Sequence, residues 1–115
     1  MPQENKINLS IVIPVFNEEQ YINKLFLDLE KYFNQENIEV IVVNDGSNDN
    51  TEKILNKFKD QVKIFHKENG GKGSAVKLGI NKSNAEYILI QDGDLEYNPK
   101  DYVKLIKPFS NNKTK

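Results

Sequence analysis

The chain has 115 residues, 16 basic and 17 acidic side chains and a formal net charge of −1. That is the size of one α/β unit, and it is too neutral for nucleic-acid binding or general electrostatic attachment to membranes. No cysteine is present, which excludes a disulfide scaffold and any thiolate metal site and is compatible with a reducing cytoplasm.

Met1 to Asn8 is polar, unlike a signal peptide. Leu9 to Val15 is a β-rich run that includes Pro14 and reads as a buried strand ending in a loop. Asn17 is expected to cap the next helix, with Gln20 as its capping-box partner. Ile22, Leu25, Phe26, Leu29 and Phe33 then follow at helical spacing. Ile38 to Val43 is a second apolar strand, and residues 44–50 form a loop of turn formers. Thr51 to Lys59 is predicted helical, with Ile54, Leu55 and Phe58 on one face, and Val62 to His66 is a weaker strand. After the turn-rich loop 67–72, a helix from Gly73 to about Lys82 points Ala75, Val76 and Ile80 inward. Tyr87 to Ile90 is a fourth strand feeding Asp92-Gly93-Asp94, and a last helix from about Lys100 carries Val103 and Ile106. Every apolar run is strand-sized, far short of the roughly 20 residues of a membrane helix.

This alternation predicts an α/β fold: a three-layer, Rossmann-like, mostly parallel sheet with helices on both faces and right-handed crossovers. Such sheets bind ligands beyond the carboxyl ends of their strands, where the strand order switches. The loops 14–18, 44–50, 67–72 and 91–98 all follow strands, so all are expected on one rim.

Asp92 and Asp94 lie two positions apart after a strand, with Gly93 between them for close approach, and Glu96 adds a third oxygen donor. Oxygen-only ligands suit Mg²⁺ or Mn²⁺, which bind through carboxylates and substrate phosphates. Asp-Gly is also an ordinary turn dipeptide; the strand before it and the neighbouring loops favour the metal site. Asp45 is placed to accept hydrogen bonds from a base or ribose, or else to form an Asx-turn capping the following helix. The segment Asn69-Gly70-Gly71-Lys72-Gly73-Ser74 lacks P-loop spacing. A glycine-rich lead into a helix still favours anions, with Lys72 as a point charge, or is a plain turn. Glu18 and Glu19 sit in the expected first helical turn, where the helix dipole favours carboxylates without any function; Glu18 is the better ligand candidate. Phe16 either packs on a base or staples the helix entry, and His66 reads as structural or exposed.

Four segments occur together and in order: Ile13-Pro14-Val15-Phe16-Asn17-Glu18-Glu19, Val42-Val43-Asn44-Asp45-Gly46-Ser47, Asn69-Gly70-Gly71-Lys72-Gly73 and Gln91-Asp92-Gly93-Asp94-Leu95-Glu96-Tyr97-Asn98-Pro99. In this the chain resembles the GT-A fold family 2 glycosyltransferases, and most of all the polyprenyl-phosphate branch, the dolichyl-phosphate mannose and undecaprenyl-phosphate glucose synthases. The resemblance implies that Pro14, Phe16, Glu18, Val43 and Asp45 contact the nucleoside of a UDP- or GDP-sugar. It implies that Lys72 lies near the donor, and that Asp92, Gly93, Asp94 and Glu96 arrange metal and diphosphate. Phe16 stands where the family usually has Tyr, and Glu96 where many branch members have Gln.

The implied organisation is a polar extension over 1–8, the nucleotide-sugar-binding half of a GT-A domain over 9–109, and a polar tail over 110–115. Family catalytic domains continue through about as many residues again, so the acceptor half, and with it any catalytic residue assignment, is expected to be absent. The implied activity is metal-dependent, inverting transfer to a polyprenyl phosphate, in the cytoplasm and peripheral to the inner face of a membrane; the alternative is a non-catalytic nucleotide-sugar-binding module. A truncated sheet leaves an exposed edge, and a homodimer is expected that buries this edge or the apolar surface normally covered by the missing half.

Overall fold

The computed structural model describes residues 7–33 and 35–91, together with the backbone of 105–106. Leu9–Val15 forms β1, the central strand, buried at every position from Ser10 onward. A strand with neighbours on both edges and helices over both faces has no solvent side, so its sequence is apolar without alternation. β2 (Ile38–Asp45) runs parallel to β1, in register from Leu9↔Ile38 to Val15↔Asn44. β3 (Lys63–Lys67) runs parallel to β2, and β4 (Tyr87–Ile90) runs parallel to the other edge of β1. With β5, the two-residue strand Leu105–Ile106, antiparallel to β4, the order is β3-β2-β1-β4-β5. The chain builds outward through β2 and β3, then returns to the far side of β1. The strand order therefore reverses between β1 and β4, the position at which such sheets open a crevice.

α1 (Ile22–Leu29), continued by a 3₁₀ turn at Glu30–Tyr32, and α2 (Thr51–Asn56) cover one face. There Ile22, Leu25, Phe26, Leu29 and Leu55 pack on Ile11, Ile13, Val15, Val40 and Val42. Phe26 is the hub, meeting Phe33 and Phe58 edge-on at centroid distances of 6.0 and 4.6 Å; burying such a ring stabilises the fold by about 1.5–3 kcal/mol. α3 (Lys72–Lys82) covers the other face, with Ala75 against the cluster of Val12, Ile41, Val43 and Ile88. It passes so close to β1 that a Cβ on Gly79 would lie 2.4 Å from Val12 Cγ1. The inward pair is therefore Ala75 and Gly79, while Val76 is half-buried and Ile80 and Leu78 pack partly against the cluster.

β2 carries a carboxylate at each end on this α3 side. Glu39, near its start, accepts hydrogen bonds from Ser10 Oγ, from the Asn84 N–H at 2.8 Å and from Lys63 Nζ at 2.7 Å. Ser83, the residue after α3, meets Ser10 Oγ at 2.7 Å. Glu39 thus ties the exit of α3 to the amino ends of β1 and β2.

Several sequence expectations change. Asn17 does not cap α1: the helix begins at Ile22 after Tyr21, without a side-chain cap. Asn17 adopts φ +49°, a left-handed conformation that Asn tolerates, and its side chain bonds a distant loop instead. Gln20 is therefore not half of a capping box, and Glu18 and Glu19 precede the helix. α1 gives way to the 3₁₀ turn before Phe33, and α2 ends at Asn56, three residues before the predicted Lys59. Leu105–Ile106 pairs with β4 as a strand, which removes Ile106 from the predicted last helix. Two apolar residues beside an open sheet edge gain ladder hydrogen bonds there that a lone helical turn does not supply.

Candidate functional site

The carboxyl ends of β1, β2 and β3 deliver their loops to one rim, and the loops are sewn together. The N–H of Asn17 donates to Ser47 Oγ at 2.9 Å, and its side-chain oxygen accepts from the Asn48 N–H at 2.8 Å. The Glu18 N–H donates to Thr51 Oγ1 at 2.9 Å, and Glu19 Oε1 accepts from the Asn50 N–H at 2.8 Å. Asp49 Oδ1 in turn accepts the Thr51 N–H at 2.9 Å. These bonds satisfy backbone groups that no strand or helix serves, and they leave Phe16 at the rim, 43% exposed.

Asn44 and Asp45 divide the work expected of Asp45 alone. Asn44 Oδ1 accepts from the Ser47 N–H at 3.1 Å, so the turn-closing bond belongs to Asn44. Its amide group donates to His66 Nδ1 at 3.1 Å, with the His66 ring exposed. Asp45 points to the α3 side, and its carboxylate is buried beneath the loop that follows β3. Oδ1 accepts from Lys67 Nζ and the Gly70 N–H, each at 2.9 Å. Oδ2 accepts from the Gly71 N–H at 2.9 Å and, less closely, from Asn69 Nδ2 at 3.3 Å. The same Asn69 group donates to the Asp45 carbonyl at 3.0 Å. Burial alone would raise the carboxyl's pKa. The hydrogen bond from Lys67, the Gly70 and Gly71 amides and the charge of Lys67 outweigh it and hold the group below its usual value of 3.8. Gly46, at φ +75°, passes so close that a Cβ there would lie 2.5 Å from the Asn69 nitrogen.

Of the predicted site residues, Asp45 ends β2, Phe16 and Glu18 lie in the loop after β1, and Lys72 follows the loop after β3. Pro14 and Val43 are buried beneath the rim, Val43 completely, within the α3-side core. Lys72 opens α3 directly after Gly71, whose φ of +99° turns the loop into the helix. The chain reaches the switch point at Gln91, buried and donating its N–H to the Val12 carbonyl at 2.9 Å. Asp92, Gly93, Asp94 and Glu96 follow it and lie outside the described residues, as do Val103 and the predicted tail. Among the described residues, no group of three or more metal-binding side chains is found, and no helix is long and apolar enough to cross a membrane. Sequence reasoning gave no individual role to Lys67, Asn69, Ser47 or Thr51. Lys67 had a recoverable signal, since aligning β2 with β3 sets opposite charges at Asp45↔Lys67.

Comparison with known proteins agrees with this geometry. The Glycosyl transferase family 2 profile matches residues 10–115. An uncharacterized glycosyltransferase of Rickettsia felis is 43% identical over 79% of this chain, which spans 15% of that relative. Across comparable curated relatives the chain spans less than half of their length, up to 44% for a Methanocaldococcus jannaschii protein. Staphylococcus aureus TarS, solved with UDP-GlcNAc, superposes on 76% of this chain and 27% of its own, with a TM-score of 0.68 and 30% identity. The mannosyltransferase PcManGT of Pyrobaculum calidifontis, solved with GDP-Man and Mn²⁺, shares the fold at a TM-score of 0.63 and 21% identity, over 79% of this chain and 28% of its own. With the parallel sheet, the switch point and the joined rim loops, these matches make the chain a GT-A fold member of glycosyltransferase family 2.

Proposed function

We propose that this chain is the donor-binding part of a metal-dependent, inverting glycosyltransferase that uses a UDP- or GDP-sugar, with a polyprenyl phosphate as acceptor of the complete protein. The observation that carries the reading is the joining of three strand-end loops on one rim beside the switch point, within a family 2 chain. The UDP-GlcNAc bound to TarS supports a nucleotide sugar as the ligand class.

In this reading Phe16 packs on the base, Pro14 and Val43 form the floor, and Glu18 and Asp45 accept hydrogen bonds from the nucleoside. Lys72 and Gly93 lie along the diphosphate. Asp92, Asp94 and Glu96 would hold Mg²⁺ or Mn²⁺, for which three carboxylates are a fitting donor set; the ion would supply Lewis acidity to the leaving diphosphate. An acceptor phosphate is already an anion, so positioning and electrostatic stabilisation carry most of the rate effect. A homodimer paired through an exposed sheet edge is part of the same proposal, and monomeric light scattering at high concentration would remove it.

Calorimetry with UDP-GlcNAc, UDP-glucose and GDP-mannose, with and without Mn²⁺, tests donor binding, and turnover with a polyprenyl phosphate tests transfer. Metal-dependent binding of one donor is expected. Binding without transfer or hydrolysis assigns this chain to the nucleotide-sugar-binding module class, and no binding with metal sinks both readings. Asp94→Asn is expected to abolish the metal-dependent part while circular dichroism stays unchanged; unaltered affinity refutes the metal assignment.

A further inference from the structure

We propose that Lys67 is a positioning residue for the donor site, holding the Asp45 carboxylate and through it the Asn69–Gly71 loop in the donor-ready arrangement; its donor-facing part rests on the function proposed above. Lys67 ends β3 directly opposite Asp45 in the parallel register. Its ammonium is 2.9 Å from Asp45 Oδ1 and 2.6 Å from the Glu68 carbonyl, so one side chain joins the end of β2 to the first residue of the loop.

Gly70 lies directly against the ammonium: a Cβ there would sit 2.9 Å from Lys67 Nζ, a contact that a small shift of the flexible lysine could relieve. Both partners are enclosed, with side-chain exposures of 20% for Lys67 and 4% for Asp45, so the pair is shielded from solvent far better than a surface ion pair.

The division of donors gives the pair its direction. An ionised carboxylate has about four acceptor positions. Lys67 and Gly70 load Oδ1, whereas Oδ2 carries one close donor, Gly71, and one distant one, Asn69, which already serves the Asp45 carbonyl. Oδ2 is thus the oxygen that can take a ligand N–H by displacing a 3.3 Å contact, with the rest of the loop still held. Lys67 also keeps the group anionic in a buried place. The other titratable side chains of this corner are His66, which pairs with Asn44, and Glu68 and Lys72 in the segment leading into α3.

The test compares wild type with Lys67→Met and Lys67→Arg in the full chain. Calorimetry uses UDP and GDP with Mn²⁺, and NMR of the free protein follows the Gly70 and Gly71 amides. Lys67→Met is expected to weaken nucleotide binding at least about tenfold at neutral pH. The loss should deepen as pH falls, setting in at higher pH than in wild type, because removing the Lys67 cation and hydrogen bond lets burial raise the Asp45 carboxyl. The two glycine amides should exchange faster in Lys67→Met, and Lys67→Arg should restore affinity, pH profile and exchange. Wild-type exchange in Lys67→Met overturns the positioning role, whatever the nucleotide result. A uniform loss at every pH, matched by a lower melting temperature, overturns it in favour of general stability. A wild-type chain that binds neither nucleotide overturns the donor-facing part, and the amide exchange still decides whether Lys67 holds the loop.

Discussion

Gly46 shows how little freedom single positions have at the rim. Its φ of +75° is costly for any side chain, and a Cβ would meet the backbone of Asn69 at 2.5 Å, a contact that no rotamer relieves. Gly46→Ala is therefore expected to destabilise the protein by about 1–3 kcal/mol in urea unfolding, with chemical-shift changes concentrated at Asn69 to Gly71. An alanine that left stability unchanged would mean that the two loops are not in backbone contact. Asn17 has the same character. Its spacing to Gln20 is that of a helix cap, but Asn caps helices and bridges loops with the same oxygen. What decided between them was the Asn48 N–H, 31 residues away, and no local pattern announces such a partner. Asp45 was legible as a rim residue but not as the clasp of the glycine loop, because its donors arrive from a strand and a loop more than twenty residues later.

Among the elements, the strands were the legible part. β4 spans the predicted Tyr87 to Ile90 and β1 the predicted Leu9 to Val15; burial on both faces leaves β1 an apolar run broken only by Ser10. Helix ends were less legible, since tertiary bonds to residues 47–51 hold residues 17–19 in a turn ahead of α1. The position of the acidic cluster, read from Asp92 to Glu96, lies outside the described residues. α3 illustrates element-level control, as β2 fastens both of its ends: Asp45 through Gly70 and Gly71, Glu39 through Asn84. The Glu39 clasp sets up a contrast. Burial would raise its carboxyl, but the Asn84 amide, Lys63 and Ser10 together hold it below its usual 4.5. Glu39→Gln leaves buried donors mismatched and should cost about 1–3 kcal/mol. Lys63, half-exposed beside it, should cost under about 1 kcal/mol when changed to Met. Urea titration of the two variants checks the order; equal losses would show that the ion pair, and not the buried amide and hydroxyl, dominates.

At the scale of the whole molecule, three carboxylates among the described residues share one sign of linkage. Glu39 and Asp45 are held low as described. Asp49, which burial would raise, is lowered by the Thr51 hydroxyl and N–H. Each binds its proton less readily folded than unfolded, so its contribution is present above the usual values of 4.5 and 3.8 and disappears as pH falls through the lower folded values. Urea midpoints should accordingly be level from about pH 7 to 5 and drop below about pH 4.5, and the Glu39→Gln, Asp45→Asn double variant should show a shallower drop. The close crossing of α3 over β1 has a further consequence. A helix pinned at both ends to one strand, and pressed onto another through Gly79, has a fixed length and a fixed phase. One inserted residue would lengthen it by about 1.5 Å and turn everything beyond it by roughly 100°, swinging a side chain into the place that Gly79 keeps empty. An inserted residue is therefore expected to be tolerated better in places such as the exposed 35–37 turn than within the segment from Gly71 to Ser83, which acts as the gauge block against which the rest of the sheet is set.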